Sequence, residues 1–518
     1  SSIYMELASI YMDVQKMPEA EKMYLRSLEI CLRLLKTDSS LFEPKLAVLT
    51  MNIGIYYETV TNMPEAEKMY LRSLEIYERL AKTKPIQFEG DLALIYQNLG
   101  AFYGVTQNIE EAKKMSLSSV EIFERLSAAA PEHLEHLATS AMNLGISYET
   151  VEDMPSAEKM YFHSVEIFEQ LAKTNPDRYE PSLAMSLVNL GVFFNTVRNI
   201  SEAEKMFLRA LVIRERLAKN KPKQFEPKLA SILMNLGGFY QDNNKMVEAE
   251  KMNLRALEIY EHLANNNPAQ FDEYLAMAIG NLSIYYELVR NMKEAEKLYV
   301  RSMEIFERLA KTNPVRFESR LAQLLFNFGR FQTMNGKYSD AQELYSRALK
   351  IRQKEMLGGQ AYMKVKVRLM NIYQNMGILR DSFEQKKDYD LASILQRERA
   401  VCMDSLSGVL TEAATNAPLA YDTLARNCLF ARQNTQAIAA AERALALAPE
   451  HNVGQVNLAH AHLVCGNFYT ARAIYKEYLK NEEDPAAAKA MLLKDFNDLE
   501  AAGISSPEVA KARAWLKE

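Results

Sequence analysis

Apolar residues along this chain fall on the 3.6-residue period of an amphipathic helix, and the same stripe returns many times. Leu46, Leu49, Ile53 and Tyr57 lie at i, i+3, i+7 and i+11 and so share one helical face. A second stripe follows at Ala66, Met69, Tyr70, Ser73, Tyr77 and Leu80. Two helices are predicted, with small residues at Gly54, Ala66 and Ser73 letting their backbones approach. Pro64 sits in the first turn of the second helix, where its missing N–H is harmless. Glu65 and Glu67 complement the positive end of that helix's dipole, Arg79 and Lys82 lie near the opposite end, and Glu78–Lys82 is predicted as an i,i+4 pair. From Pro64 to Lys82 the helix spans about 28 Å. It is expected to stop at Thr83-Lys84-Pro85, with Phe88 opening a short connector.

This two-helix pattern is copied. The string EAEKMYLRSLEI begins at Glu19 and again at Glu65, with variants from Glu111, Ser156, Glu202, Glu248, Glu294 and Asp340. Its alanine falls at Ala20, Ala66, Ala112, Ala157, Ala203, Ala249, Ala295 and Ala341, in steps of 46 or 45 residues. An asparagine two residues before a glycine register (NLG or a relative) recurs at Asn52, Asn98, Asn143, Asn189, Asn235, Asn281 and Asn327. In the first copy Glu6 and Ala8 align with Asn52 and Gly54, so residue 1 is expected to fall inside a first helix. The sequence reads as though cut from a longer one.

Residues 1–354 are therefore read as eight long repeats, the first truncated. Residues 355–410 form an irregular ninth, with Asn371 and Ala392 as its markers and about seven extra residues near Asp381–Asp388. Residues 411–480 hold two shorter repeats, since Ala437 to Ala471 is 34 residues. Residues 481–518 suit a polar cap of two helices broken by Gly503 and Pro507.

Gly54, Tyr57, Ala66, Tyr70 and Ser73 resemble the signature of the tetratricopeptide repeat, and AERALALAPEH, with Ala444 and Pro449, resembles its standard form. The usual repeat has 34 residues. The 46-residue copies resemble the long-helix repeats of kinesin light chains and of many bacterial proteins, with the extra length assigned to the second helix and the linker. The resemblance covers nearly the whole chain. It implies an all-α fold, an α-solenoid in which about eleven antiparallel helix pairs form a right-handed superhelix whose first helices line a concave groove.

Composition narrows the classes. With 518 residues the chain exceeds a single core. Its net charge of −5 argues against coating nucleic acid or an anionic membrane. Cys31, Cys402, Cys428 and Cys465 lack both a disulfide framework and metal spacing. No apolar run reaches the roughly 18 residues that cross a bilayer. The opening SSIYMELASIYMDV is not an intact signal peptide, so the cytoplasm is the expected compartment unless a leader has been removed.

Chemistry is scarce. His133 and His136 lie in EHLEH, which is not HExxH. His460 and His462 point to different helix faces, and His163, His262 and His451 are isolated. Phosphate-binding and nucleophile-elbow motifs are missing. Met17, Met23, Met63 and Met69 recur at one register, which favours core packing. Carboxylates paired with Lys and Arg read as solvated helix faces. No enzyme, cofactor or metal is expected.

The groove holds the candidates. The invariant asparagines form a ladder, and the resemblance implies that such residues hydrogen-bond a bound peptide's backbone; scaffold bonding to a neighbouring helix is the alternative. Asn371 and Asn457 are later candidates. Around the ladder the residues vary: Met51, Gln97, Met142, Val188, Met234 and Phe326 on one side, and Ile55, Ile146, Val192, Ile284 and Arg330 on the other. Acids stand at Glu58, Glu149 and Glu287. The family's two-carboxylate clamp wants lysine three before the glycine and asparagine one after it, and neither is present. A partner protein or peptide with apolar anchors and basic residues is expected. Two function classes follow: a non-enzymatic protein-interaction scaffold, or a regulatory module of a larger enzyme or signalling assembly, such as a protease-associated array.

Overall fold

The computed structural model describes residues 2–14, 16–358, 362–450 and 452–517, so His451 lies outside the described residues. Among them are twenty-four α-helices, one short 3-10 turn (Pro131–His133) and no strand. Contacts divide the chain into two compact units, Ser1–Leu263 and Ala264–Glu518.

The first unit contains α1 (Ser2–Asp13), α2 (Met17–Leu35), α3 (Ser39–Thr59), α4 (Met63–Thr83), α5 (Pro85–Val105), α6 (Ile109–Ala129), α7 (Leu134–Thr150), α8 (Met154–Thr174), α9 (Pro176–Thr196), α10 (Ile200–Asn220), α11 (Pro222–Asp242) and most of α12 (Met246–Asn266). The second contains α13 (Pro268–Leu288), α14 (Met292–Thr312), α15 (Pro314–Met334), α16 (Tyr338–Leu357), α17 (Tyr362–Gln385), α18 (Tyr389–Leu406), α19 (Thr411–Phe430), α20 (Asn434–Leu447), α21 (Asn452–Val464), α22 (Phe468–Asn481), α23 (Pro485–Ala501) and α24 (Pro507–Lys517). Within each unit consecutive helices pack on one another, giving an all-α solenoid of paired helices.

Each pair is closed by the same three-residue turn. In the second pair the Asn62 N–H reaches back to the Tyr57 carbonyl (2.8 Å) and the Thr61 N–H to Glu58 (3.0 Å), a Schellman cap. The cap needs one residue in the left-handed region. Thr61, Gln107, Glu152, Arg198, Asn244 and Arg290 occupy it at φ 58–64°, whereas Gly336 and Gly466 do so without steric cost.

Small residues then bring the helices together. A Cβ on Gly54 would come within 2.7 Å of the Tyr70 ring. Ser73 Oγ donates to the Ala47 carbonyl at 2.8 Å, and Ser119 and Ser302 repeat that bond to Ala93 and Ala276. Leu46, Leu49, Ile53, Ala66, Met69, Tyr70 and Tyr77 are buried, and Met17, Met23 and Met63 pack against that core.

Three sequence expectations change. Phe88 opens no connector: α5 begins at Pro85, Phe88 is buried within it, and Lys84 alone separates the pairs. The proline fixes the first φ of the new helix, so a single residue suffices. The extra repeat length is accordingly shared, since α3, α4, α5 and α6 each have 21 residues. The extra residues of the ninth pair form no loop either. Helix α17 absorbs them, running to Gln385 before the same turn at Lys387.

Glu78–Lys82 is not the pair that forms. Glu78 accepts the Tyr96 hydroxyl of the next pair at 3.0 Å. The basic residue after it instead joins the start of its own pair's first helix, as Arg79–Glu43 (3.1 Å), Arg125–Glu89 (3.2 Å), Arg308–Asp272 (2.6 Å) and Lys354–Glu318 (2.8 Å). Arg352 goes further: it is fully buried, held by Glu355, the Ser319 hydroxyl and the Ser319 carbonyl, each at 2.7 Å.

Leu190 and Leu236 have no exposed surface. Leu190→Asp should cost more than about 3 kcal/mol and lower the urea midpoint followed by circular dichroism, because the charge gains no partner. Wild-type melting would refute this core. Conversely, Glu152→Gly and Arg198→Gly should each stabilise by about 0.5–1 kcal/mol, the relief of left-handed strain less the entropy of glycine. A fall in midpoint would contradict that turn.

Candidate functional site

The ladder asparagines occupy one position on each of α3, α5, α7, α9, α11, α13 and α15. The residue after each and the glycine or serine after that are buried, so the asparagine sits at the margin of the packed face. Asn235 is exposed, and Asn52, Asn98, Asn143, Asn189, Asn281 and Asn327 are half-buried. Within the described residues only Asn327 has a side-chain partner, accepting from Gln323 at 3.2 Å; the other six amides make no hydrogen bond to the chain. The later candidates differ. Asn457 donates to the Asp422 carbonyl at 3.1 Å. Asn371 lies two helical turns before the ladder register, which Ile378 occupies instead, as counted back from the Lys387 turn.

First helices of successive pairs touch, α5 with α7 and α7 with α9 in the first unit, and α15 with α17 and α19 with α21 in the second. Between α7, α8 and α9 lies a cleft of about 550 Å³ that brings together Ile146, Glu149, Asn189 and Val192, with Tyr161 and Met154 from the second helix. Ile55, Ile146 and Val192 are exposed. Met51, Gln97, Val188, Met234, Ile284 and Phe326 are half-buried, and Phe326 lies 6.0 Å from the Tyr345 ring. Met142 does not line an open surface: it is buried, with Ser186 donating to its sulfur at 3.8 Å.

The acids also behave differently from the sequence expectation. Glu58 accepts from the Tyr70 hydroxyl (2.8 Å), Glu149 from Tyr161 (2.7 Å) and Glu287 from Tyr299 (2.8 Å), each twelve residues on. Glu287 is buried and also holds Arg330 at 3.3 Å. Burial first, and the carboxylate second, raise all three phenols well above their ordinary pKa, so they remain donors. These glutamates are engaged in joining helices, and no basic ligand follows from them.

A row that the sequence reading did not single out is apolar. Leu25, Leu71, Leu117, Phe162, Leu208 and Leu254, on successive second helices, are all 38–47% exposed. The signal was present as the leucine of the recurring EAEKMYLRSLEI string. No cluster of three or more His, Cys, Asp or Glu suited to a metal occurs among the described residues. His133 and His136 lie against Phe123, at 6.1 and 5.3 Å. Among the described residues no helix is long and apolar enough to cross a membrane.

Tetratricopeptide repeat models match residues 1–79, 183–221 and 229–269. Together with the paired helices and the signature residues, these matches make the chain a tetratricopeptide repeat protein. Solved structures that resemble it include BtubC (BKLC) from P. vanneervenii, 24% identical, with 47% of this chain and 90% of that chain covered and a TM-score of 0.39. The apo form of RapI is 17% identical, with 60% and 98% covered and a TM-score of 0.42. Aspartyl phosphate phosphatase F from Bacillus subtilis is 13% identical, with 68% and 84% covered and a TM-score of 0.44. No curated protein matches the chain in sequence. Repeat stacks of this class are protein-interaction scaffolds.

If the acids are structural, Glu149→Ala should destabilise by about 1–3 kcal/mol, since the Tyr161 hydroxyl loses its buried acceptor. Glu149→Gln, which keeps an acceptor, should recover most of that in a urea titration. Equal stability of the alanine variant and the parent would contradict the role.

Proposed function

We propose that this protein is a non-enzymatic scaffold that holds an extended segment of a partner polypeptide along the faces of its first helices. The asparagine ladder would grip the backbone, and the varied residues between its rungs would select the sequence. One observation carries the reading: among the described residues, five amides at one register, on the five successive first helices α3 to α11 of the first unit, have no hydrogen-bond partner, nor has Asn281 at that register in the second. A scaffold role would have consumed them, as it consumes Ser73 and Glu58. Each amide offers two donors and an acceptor, the complement of a peptide unit, and a row of them binds without reading side chains. Specificity then falls to exposed apolar positions such as Ile55, Ile146 and Val192, which change from copy to copy. An extended apolar-anchored segment fits this surface, and basic residues are not required because its acids are engaged.

The test is capture of partners from the source cell by the immobilised chain, compared with a variant carrying Asn189→Ala, Asn235→Ala and Asn281→Ala. Partners enriched by the parent should fall by about tenfold or more, the loss of a few kcal/mol of backbone hydrogen bonding, while helicity and melting change little. Undiminished capture, or a large loss of melting temperature, would overturn the ladder reading.

A further inference from the structure

The second unit contains a cavity apart from the seven ladder asparagines, although Asn457, at their register, lines it. Helices α19, α21 and α23, with the end of α22, enclose about 570 Å³. Four acids line it, Asp422, Glu482, Asp495 and Asp498, against one base, Arg426, whose guanidinium lies over the Phe430 ring at 5.5 Å.

The independent observation is His460 in the cavity wall, only 4% exposed. Its Nδ1 is 2.7 Å from the Val456 carbonyl oxygen. A carbonyl only accepts, so Nδ1 carries the proton and Nε2 of the neutral ring is a bare lone pair. Burial holds the imidazole pKa down at about 4, so the ring is neutral in ordinary buffer. That Nε2 has no hydrogen-bond partner. The group it faces is Asp495 Oδ2, 3.9 Å away and also an acceptor. Two acceptors aimed at each other across a gap, in an acid-lined cavity, form a receptor for an N–H donor that carries positive charge.

We propose that this cavity is a second binding site, taking an arginine side chain of a partner polypeptide with its N–H groups between His460 Nε2 and Asp495 Oδ2. The guanidinium supplies several donors in a plane and is less strongly hydrated than an ammonium, which suits a partly buried receptor. The apolar stem rests on Val453 and Met491, which line the same cavity. The inference shares with the proposed function only the premise that the chain binds polypeptides, and it uses none of the ladder asparagines.

The test uses the full chain and a nine-residue peptide with a central arginine flanked by leucines, titrated calorimetrically. Its citrulline counterpart keeps the shape and loses the charge, and N-acetylarginine amide supplies the same cation free of a chain. The arginine peptide should bind, with the citrulline peptide and Asp495→Asn each weakening it about tenfold or more, a loss of about 1.4 kcal/mol. Asp495 is part-exposed, so melting should barely move; Asp498→Asn gives a second variant, expected to weaken binding several-fold. No binding of the arginine peptide, equal binding of its citrulline form, or full retention in both variants would overturn the site, as would a trapped water satisfying both acceptors. Equally tight binding of the free amide would overturn the polypeptide source. The triple ladder variant should bind the arginine peptide as the parent does. A loss there would place the cation on the ladder face and end the proposal, whereas failure of the peptide alone would leave the ladder reading standing.

Discussion

Two long helices pack closely only where the residue at their crossing is small. The long pairs meet this constraint at the same place, with glycine there in most copies, Ser283 in one and Ala8 in the first. The glycine of the first helix receives the residue sixteen positions on, so that Gly54 lies under Tyr70, Gly145 under Tyr161 and Gly191 under Phe207. An aromatic ring pressed onto backbone must then dispose of its hydroxyl in a dry place. Glu58, Glu149 and Glu287 do this, and Thr333 does it for Tyr345 at 3.3 Å. Where the ring loses its hydroxyl or is replaced, the acid goes too: Phe207 stands with Asn195, Ser116 with Gly104, and Asn253 with Gln241. The partner also changes where the ring stays, since Tyr24 donates to the Met12 sulfur at 3.5 Å. At Asn253 the arrangement is left incomplete, since both ends of its buried amide lack a partner, as does the Gln241 nitrogen.

Charge does a second job. In isolation Glu67 reads as a dipole partner of its own helix and Lys113 as a solvated surface cation. Each instead meets the next pair: Glu67 accepts the Tyr103 hydroxyl at 2.9 Å, and Lys113 lies 4.9 Å from the centre of the Tyr148 ring. Glu21 takes Tyr57 in the same way, and Glu296 takes Gln332 and Lys337. The second acid of the recurring EAEK string is thus a contact between neighbours. Partly buried, hydrogen-bonded charges of this kind fix the stagger of one pair on the next more than they add net stability.

The paired helices, their number and the buried stripe were legible because period, small residues and spacing are local properties. Leu190, Leu236 and Met69 could be assigned to the core from the stripe alone. The start of α5 at Pro85 was misread because Thr83-Lys84-Pro85 signals a stop and a start equally, and only packing decides that Phe88 belongs to a helix. The partners of Glu78, Glu149 and Glu287 were hidden for another reason. A carboxylate on an exposed-looking register looks the same whether it faces water or a tyrosine on another helix. Arg352 was hidden in the same way: at the register of Tyr77 and Phe306 a full charge is buried, and nothing local announces that Ser319 will receive it. The cavity around His460 could not be read from sequence at all, since it is built from four helices.

These assignments bear on how the chain would treat a partner. On the first helices of the long repeats Glu58, Glu149 and Glu287 are engaged within the fold, so under the proposed reading neutral amides and aliphatic side chains are what those helices offer. Such a surface gains little from long-range attraction and depends on shape and on backbone hydrogen bonds, so its selectivity must come from how the apolar residues differ from copy to copy. The shorter repeats are built differently at the helix crossing. There Ala425 and Ala459 stand at the glycine register, and Ala441 and the buried Tyr475, whose hydroxyl has no partner, stand at that of Tyr70. No acid stands twelve residues before either, since Leu429 and Leu463 occupy that place, so the acids around His460 come from other registers.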